Sequence, residues 1–511
     1  MQNLFKFITT QFTKKNIISL VYSPKLPLII IGFGILVRLV QYLFNRSLWA
    51  DEAVLALNIV NRSYLELLQP LDYDQGAPLG FLMVEKLAVQ VFGDNEYALR
   101  LFPLLSGIIS FFLFYELAHR SIQRLAIPIA LALFASLRYL VYYASEVKQY
   151  STDVAIALLS CLIAMQLRSP RLNKSQVVTC SVVGAIAIWF SHPAIFVLAG
   201  VGLCSLLISA LRREKIIISL VICSSWILSF AVFYFVSIRK LGGSQDLLKS
   251  WQKKDAFPSS NFDIIWLLDS FGKFFHNPLG FTGVMDGLAI IAFIFGCISC
   301  FRRKKETLFI LISPLFVTFL AAYLQKYPFS NRLVLFLTPF IILFIAEGAV
   351  YITSKVHFKF TLIGIVLIVL LLAQPLIRAS SLLVNPYLRE EIKPIISYVK
   401  AHQKPEDILY IYQRGEYQFK YYAKKYGYED GDYIIGVDDL DKYDGKKVSE
   451  EEWQRYKSDL DKLRGNKVWL IFSHAYLWKE NQMILSYLDT IGKRLDFYQK
   501  PGSFVYLYDL S

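Results

Sequence analysis

"LPLIIIGFGILVRLVQYLFNRSLWADEA", residues 26 to 53, begins as an apolar run and ends on two adjacent carboxylates, Asp51 and Glu52. At about 1.5 Å per residue, the stretch from about 26 to 44 spans about 30 Å as a helix, the thickness of the hydrocarbon in a bilayer. Ten more runs of similar length follow, at about 97–118, 125–142, 151–167, 176–190, 193–210, 216–237, 285–301, 307–324, 333–351 and 360–377. Lipid offers the backbone no hydrogen bonds, so each run reads as a helix. The first run is too long, and too weakly followed by small residues, to be a cleaved signal peptide. It reads as a signal anchor.

Composition agrees with an α-helical polytopic membrane protein of about eleven transmembrane helices. Of 511 residues, 55% are hydrophobic and 18% charged, and the mean hydropathy is +0.44. The net charge of +14 is a topology signal, because alternate loops hold it. Those loops carry Lys6, Lys14, Lys15 and Lys25; Arg120 and Arg124; Arg168, Arg171 and Lys174; Arg212, Arg213 and Lys215; Arg302 to Lys305; and Lys355 and Lys359. The loop from 45 to 96 sets eight carboxylates against Arg46, Arg62 and Lys86. A cytoplasmic N-terminus and an external C-terminal portion follow, and nucleic acid is set aside as a partner. All six cysteines fall in the apolar runs, so no disulfide framework is implied, and Cys297 and Cys300 form a CxxC without further ligands nearby.

Two parts are expected: a membrane domain over 1–384, with external loops at 45–96 and 238–284, and an external α/β domain over 385–511. In the first loop, "DEAVLALNIVNRSYLELL" and "LGFLMVEKLAVQVF" read as amphipathic helices at the membrane surface. The second loop could form a lid. Residues 385–511 carry 20 basic and 21 acidic side chains. Their strand-like runs "DILYIY", "KVWLIFS" and "SFVYLYDL" alternate with helical patterns at 387–402, 416–427 and about 480–492.

Polar residues crowd the outer ends of the spans, whereas the mid-span segments are nearly bare. Asp51 and Glu52 follow the first run. "YYASEVKQYSTD" places Glu146, Lys148, Tyr150 and Asp153 before the fourth, His192 lies between the fifth and sixth, and Arg332 precedes the tenth. A charge within the bilayer costs about 2.5 to 3.5 kcal/mol, so such residues usually face a cavity or a partner. On one continuous helix Glu146, Gln149, Tyr150 and Asp153 would share a face. Plainer readings stand beside these. Asp51 and Glu52 suit the first turn of any helix, Asp153 suits a structural hydrogen bond, His192 before Pro193 suits a helix end, and Arg332 suits a lipid headgroup.

The layout and local patterns resemble the C-type (GT-C) glycosyltransferases, and more narrowly the family 39-like branch of protein O-mannosyltransferases and lipid A aminoarabinose transferases. The resemblance is carried by the Asp51–Glu52 pair, "YDQGAPLGFLMVEKL", "ALRLFPLLSGI", "YYASEVKQYSTD" and "FSNRLVLFLTPF". It implies transfer of a sugar from a polyprenyl-phosphate donor to a lipid, glycan or protein acceptor at the outer face of a bacterial inner membrane. Asp51, with Glu52 beside it and Asp153 as the second acidic position, would then be catalytic. Arg332 and Lys148 would hold the donor phosphate, and Glu146, Tyr150 and His192 would line the substrate pocket. One departure is Gly76-Ala77-Pro78 where the aminoarabinose transferase has a Lys-Pro-Pro turn. No cofactor is certain, and a divalent cation is left open.

The chemistry suits those residues. A departing phosphate gathers charge and needs a cation, while the attacking hydroxyl needs a carboxylate base; a single displacement inverts the anomeric carbon. Retention would need a second carboxylate as nucleophile. The rival expectation is a transporter or flippase of lipid-linked sugars using the same cavity.

Overall fold

The computed structural model describes residues 23, 25–167, 172–212, 216–239, 251–252, 255–260, 262–354, 358–438, 448–475 and 479–511. Of the basic loop residues, Lys6, Lys14, Lys15, Arg168, Arg171, Arg213, Lys215 and Lys355 lie outside them, as does most of the first part of the 238–284 loop.

Every apolar run is helical: α1 (Lys25–Leu43), α4 (Glu96–Ser121), α5 (Ala126–Ser136) with α6 (Arg138–Tyr142), α7 (Tyr150–Leu167), α8 (Lys174–Phe190), α9 (Ala194–Leu211), α10 (Ile216–Phe233), α12 (Val284–Arg303), α13 (Lys305–Tyr323), α14 (Thr338–Thr353) and α15 (Phe358–Ser381). Among the described residues nine helices are long and apolar enough to cross a membrane. The pair formed by α5 and the segment from Arg138, bent by 59°, is apolar and long enough together to be a tenth, broken span or a re-entrant loop. With 17 residues, α8 is shorter but also apolar in character. The chain is an integral membrane protein.

The bend at Leu137, which is extended at φ −64° and ψ 128°, frees carbonyls that lipid cannot satisfy. Arg38, within α1, satisfies them: its guanidinium donates to Phe134 O and Ala135 O, each at 3.2 Å, and to Gly34 O at 3.1 Å. A charge buried inside a span departs from the expected bareness of those segments, and its role here is structural. At the bundle's centre, Asn331–Thr353 is the most buried span among the described residues. It packs against α12 where a Cβ on Gly296 would lie 1.9 Å from Phe344 O, and one on Gly348 1.8 Å from Ala292 O. Backbones this close require glycine.

Between α1 and α4 the first loop forms α2 (Ala50–Asn61) and α3 (Leu79–Phe92). The expectation of two membrane-surface helices needs correction for α2. Residues 52 to 59 are all buried, because α2 is enclosed between the bundle and the C-terminal domain. By contrast α3 exposes Leu87, Val91 and Phe92. In the second loop α11 (Ile264–His276) buries Trp266, Phe274 and Phe275 and exposes Ile265 and Leu268.

The C-terminal domain is a small α/β unit, as the alternating pattern implies. It contains α16 (Ile392–His402), β1 (Ile408–Ile411), α17 (Glu416–Ala423), β2 (Ile434–Ile435), α18 (Glu450–Asp461), β3 (Lys467–Ser473), α19 (Lys479–Ile491), β4 (Lys493–Lys500) and β5 (Ser503–Asp509). The sheet order is β2-β1-β3-β5-β4. β1 is parallel to β2 and β3, with Leu409 opposite Trp469, and β5 is antiparallel to β3 and β4. The domain sits on the end of the bundle that carries the acidic first loop. Lys393 pairs with Glu96 at 2.8 Å and Lys425 with Asp94 at 3.0 Å.

Candidate active site

The stretch 48–53 is the hinge of the site, and its two carboxylates go separate ways. Glu52 turns inward and is fully buried. It receives Arg100 Nε at 2.9 Å and Nη2 at 2.8 Å, and the Val147 amide at 2.8 Å. A forked pair of this kind satisfies both ions away from water. Arg100 also donates to Arg46 O and Ser47 O, tying the approach to α2 down onto α4.

Asp51 faces a cavity of about 960 Å³ between the bundle and the C-terminal domain. Its carboxylate meets Arg332 at 2.5 Å and Lys148 at 3.3 Å, and Lys148 also donates to Gln75 at 2.8 Å. Burial would raise the Asp51 carboxyl; Arg332 and then Lys148 outweigh it and hold the group well below the usual carboxylate range. Arg332 is presented by the turn Asn331–Leu337 at the head of the central span, after Asn331 at φ 47°, a left-handed conformation that asparagine tolerates. Its guanidinium lies 5.6 Å from both the Trp49 and Tyr150 rings.

The structure thus brings together Asp51, Lys148, Arg332 and Tyr150, with Glu146 alongside. The shared helical face expected for Glu146 and Asp153 does not form, because α7 begins only at Tyr150 and Glu146 lies in the preceding bend. Glu146 accepts the Trp49 indole N–H at 2.5 Å, and burial first and the Glu52 charge second push its carboxyl up to about 7. Asp153 lies in the first turn of α7, buried, its Oδ1 without a hydrogen-bond partner among the described residues. His192 Nε2 is likewise unpartnered among them, and burial lowers this imidazole to about 4. Of the expected site residues only Asp51 and Arg332 line the main cavity; Lys148, Glu146 and Tyr150 are buried behind it, and Glu52, Asp153 and His192 do not line it either.

Several cavity residues carry no signal strong enough to single them out in the sequence. Trp49 lies under the Arg389 guanidinium at 3.3 Å. Arg389 donates to the Tyr142 hydroxyl at 3.3 Å, and Arg138 to that of Tyr387 at 3.4 Å. The C-terminal domain supplies Gln413, Arg414, Tyr417 and His474 to the wall. Among the described residues no three His, Cys, Asp or Glu side chains gather as a metal site. The cations around Asp51 suit the pocket to an anion.

No protein-family model and no curated protein matches the chain. Among solved structures, ArnT from Cupriavidus metallidurans bound to undecaprenyl phosphate is similar at a TM-score of 0.52 and 12% identity, over 94% of this chain and 97% of that one. The archaeal oligosaccharyltransferase AglB from Archaeoglobus fulgidus, in complex with an inhibitory peptide and a dolichol-phosphate, is more distant, with a TM-score of 0.49 and 10% identity over 94% and 74% of the two chains. The chain has the GT-C fold.

Proposed function

We propose that the protein is a family 39-like glycosyltransferase that moves a sugar from a polyprenyl-phosphate donor to an acceptor hydroxyl, with inversion, on the outer face of a bacterial inner membrane. Its N-terminus is then cytoplasmic and its C-terminal domain periplasmic. The observation that carries this reading is the contact of Asp51 with Arg332 in one cavity at the bundle's loop end, with the buried Lys148 touching Asp51 from behind the cavity lining. The undecaprenyl phosphate bound to ArnT, a protein of the same fold, supports a lipid phosphate as the anion.

A carboxylate held by two cations is a weak base, and the geometry suggests how that is relieved. Arg332 and Lys148 take the donor phosphate as their counter-anion, which stabilises the leaving group. Asp51 loses its partners, its carboxyl moves back toward the ordinary range, and it can accept the acceptor's proton. The hydroxyl oxygen bonds to the anomeric carbon as the bond to the phosphate oxygen breaks, and the electron pair leaves with the lipid phosphate. Glu52 keeps Arg100 and α2 in place, whereas Tyr150 and Glu146 back the Arg332 guanidinium. Mass analysis of lipid-linked sugars in cells lacking the protein tests the reading. One donor should accumulate; an unchanged lipid pool would refute it. The transport alternative calls for broken helices with free polar groups near mid-bilayer; at the break at Leu137 the buried Arg38 is spent on the freed carbonyls of Phe134 and Ala135.

A further inference from the structure

The four residues before Asp51 are gripped by the C-terminal domain and the segment leading into it. Ser47 donates its N–H and Oγ–H to Glu391 at 3.2 and 3.0 Å. Leu48 donates its N–H to the Tyr422 hydroxyl at 2.8 Å and accepts from Gln418 at 3.0 Å. Trp49 lies under Arg389. Ala50 donates its N–H, the first orphan donor of α2, to Glu390 Oε2 at 2.9 Å.

Glu390 is fully buried, and its other oxygen, Oε1, meets His474 Nδ1 at 2.8 Å. His474 follows directly on β3 with φ at 55°, a left-handed conformation that costs a non-glycine residue energy and persists only where the surroundings impose it. The end of the sheet therefore fixes the backbone of His474, its imidazole holds a carboxylate, and the carboxylate holds the helix start one residue before Asp51. A carboxylate there is also favoured by the positive end of α2.

We infer that Glu390, steadied by His474, is a positioning residue: it fixes the N-terminus of α2 and so sets where the Asp51 carboxylate stands in the cavity. The C-terminal domain is then a working part of the active site. This rests on the reading of Asp51 as the base. Simple docking is served elsewhere, by the Lys425–Asp94 pair, which does not touch α2.

The test uses purified full-length protein and the variants E390A, E390Q, K425A and D51N, with kcat, donor KM and deuterium exchange of the peptide spanning 48–57 as readouts. A displacement of about 1 Å in a reacting group can cost on the order of 100-fold, so E390A should lose at least about tenfold in kcat. Its donor KM should stay within about threefold, the mark of an effect on the transition state alone. Exchange at the start of α2 should quicken in step. E390Q can still accept from Ala50 and should recover most of the turnover; K425A should resemble wild type in both readouts. The inference is overturned by wild-type kcat in E390A, by a lowered kcat with unchanged exchange, by E390Q no better than E390A, or by K425A reproducing the E390A loss. D51N separates the two readings. If D51N keeps turnover, Asp51 is not the base; if D51N is dead while E390A is normal, only the positioning role falls.

Discussion

Asp51 and Arg332 touch at 2.5 Å although one rides on α2 in the first loop and the other on the turn that opens the central span. Their contact joins a long acidic loop to the most buried of the described spans.

Asp51→Asn tests the base role directly. The isosteric amide keeps a contact to Lys148 through its oxygen but cannot take a proton, and general-base catalysis is worth about 100- to 10,000-fold. Turnover should fall by at least about 100-fold, with the variant still inserted and folded by gel filtration. Wild-type turnover would remove Asp51 from that role.

Arg332→Ala should act on the donor. Loss of a charge-assisted contact to phosphate costs about 1.5 to 3 kcal/mol, or roughly 10- to 100-fold in donor KM, while acceptor KM changes little. Equal effects on both substrates would speak against a phosphate contact.

Much of this is legible in the sequence. Asp51, Lys148 and Arg332 stand out because charge at a span end is costly unless something uses it, and the strands 407–412, 467–473 and 503–510 show themselves as short apolar runs among charges. Other features lie beyond a linear reading. The roles of Glu390 and His474 depend on how a separate domain docks, and Arg100 hides in an ordinary "ALRLF". The two-residue β2 is too short to show periodicity. α18 does leave a cue that the strand-and-helix pattern passes over, since Ser449 caps it by accepting from the Glu452 amide. Glu146 and Asp153 share a face only on a helix that starts four residues earlier than α7 does.

Glu146→Gln tests the buried carboxyl through pH. A carboxyl raised in the folded state binds its proton more tightly there than when unfolded. It therefore costs stability as pH rises from the ordinary glutamate value of 4.5 through about 7, and the full cost applies above that. A glutamine in its place can still accept the Trp49 N–H without that penalty. The variant should melt higher than wild type at pH 8 and close to it at pH 5; the same difference at both would mean that ionisation is not involved.

Arg38→Met keeps the bulk of the side chain but leaves Phe134 O and Ala135 O unsatisfied in the bilayer, each costing about 1 to 3 kcal/mol. The melting temperature should drop and less folded protein should be recovered. Turnover per folded molecule should hold, because Arg38 lies away from the cavity lining.

Glu52→Ala separates the roles of two neighbouring carboxylates. Removing Glu52 strands Arg100 in a site where the pair is almost wholly enclosed, its side chains 0% and 2% exposed. Breaking such a pair costs about 3 to 5 kcal/mol because the remaining charge keeps only the Arg46 and Ser47 carbonyls and has lost its bonded counter-ion. Glu52→Ala should therefore be lost largely to misfolding, and Glu52→Ala/Arg100→Met should recover folded protein by removing the stranded ion. Asp51→Asn should do the reverse, folding well and failing in turnover, because Asp51 lines the cavity and its cations can take another anion. A stable but inactive Glu52→Ala would move Glu52 from the scaffold to the chemistry.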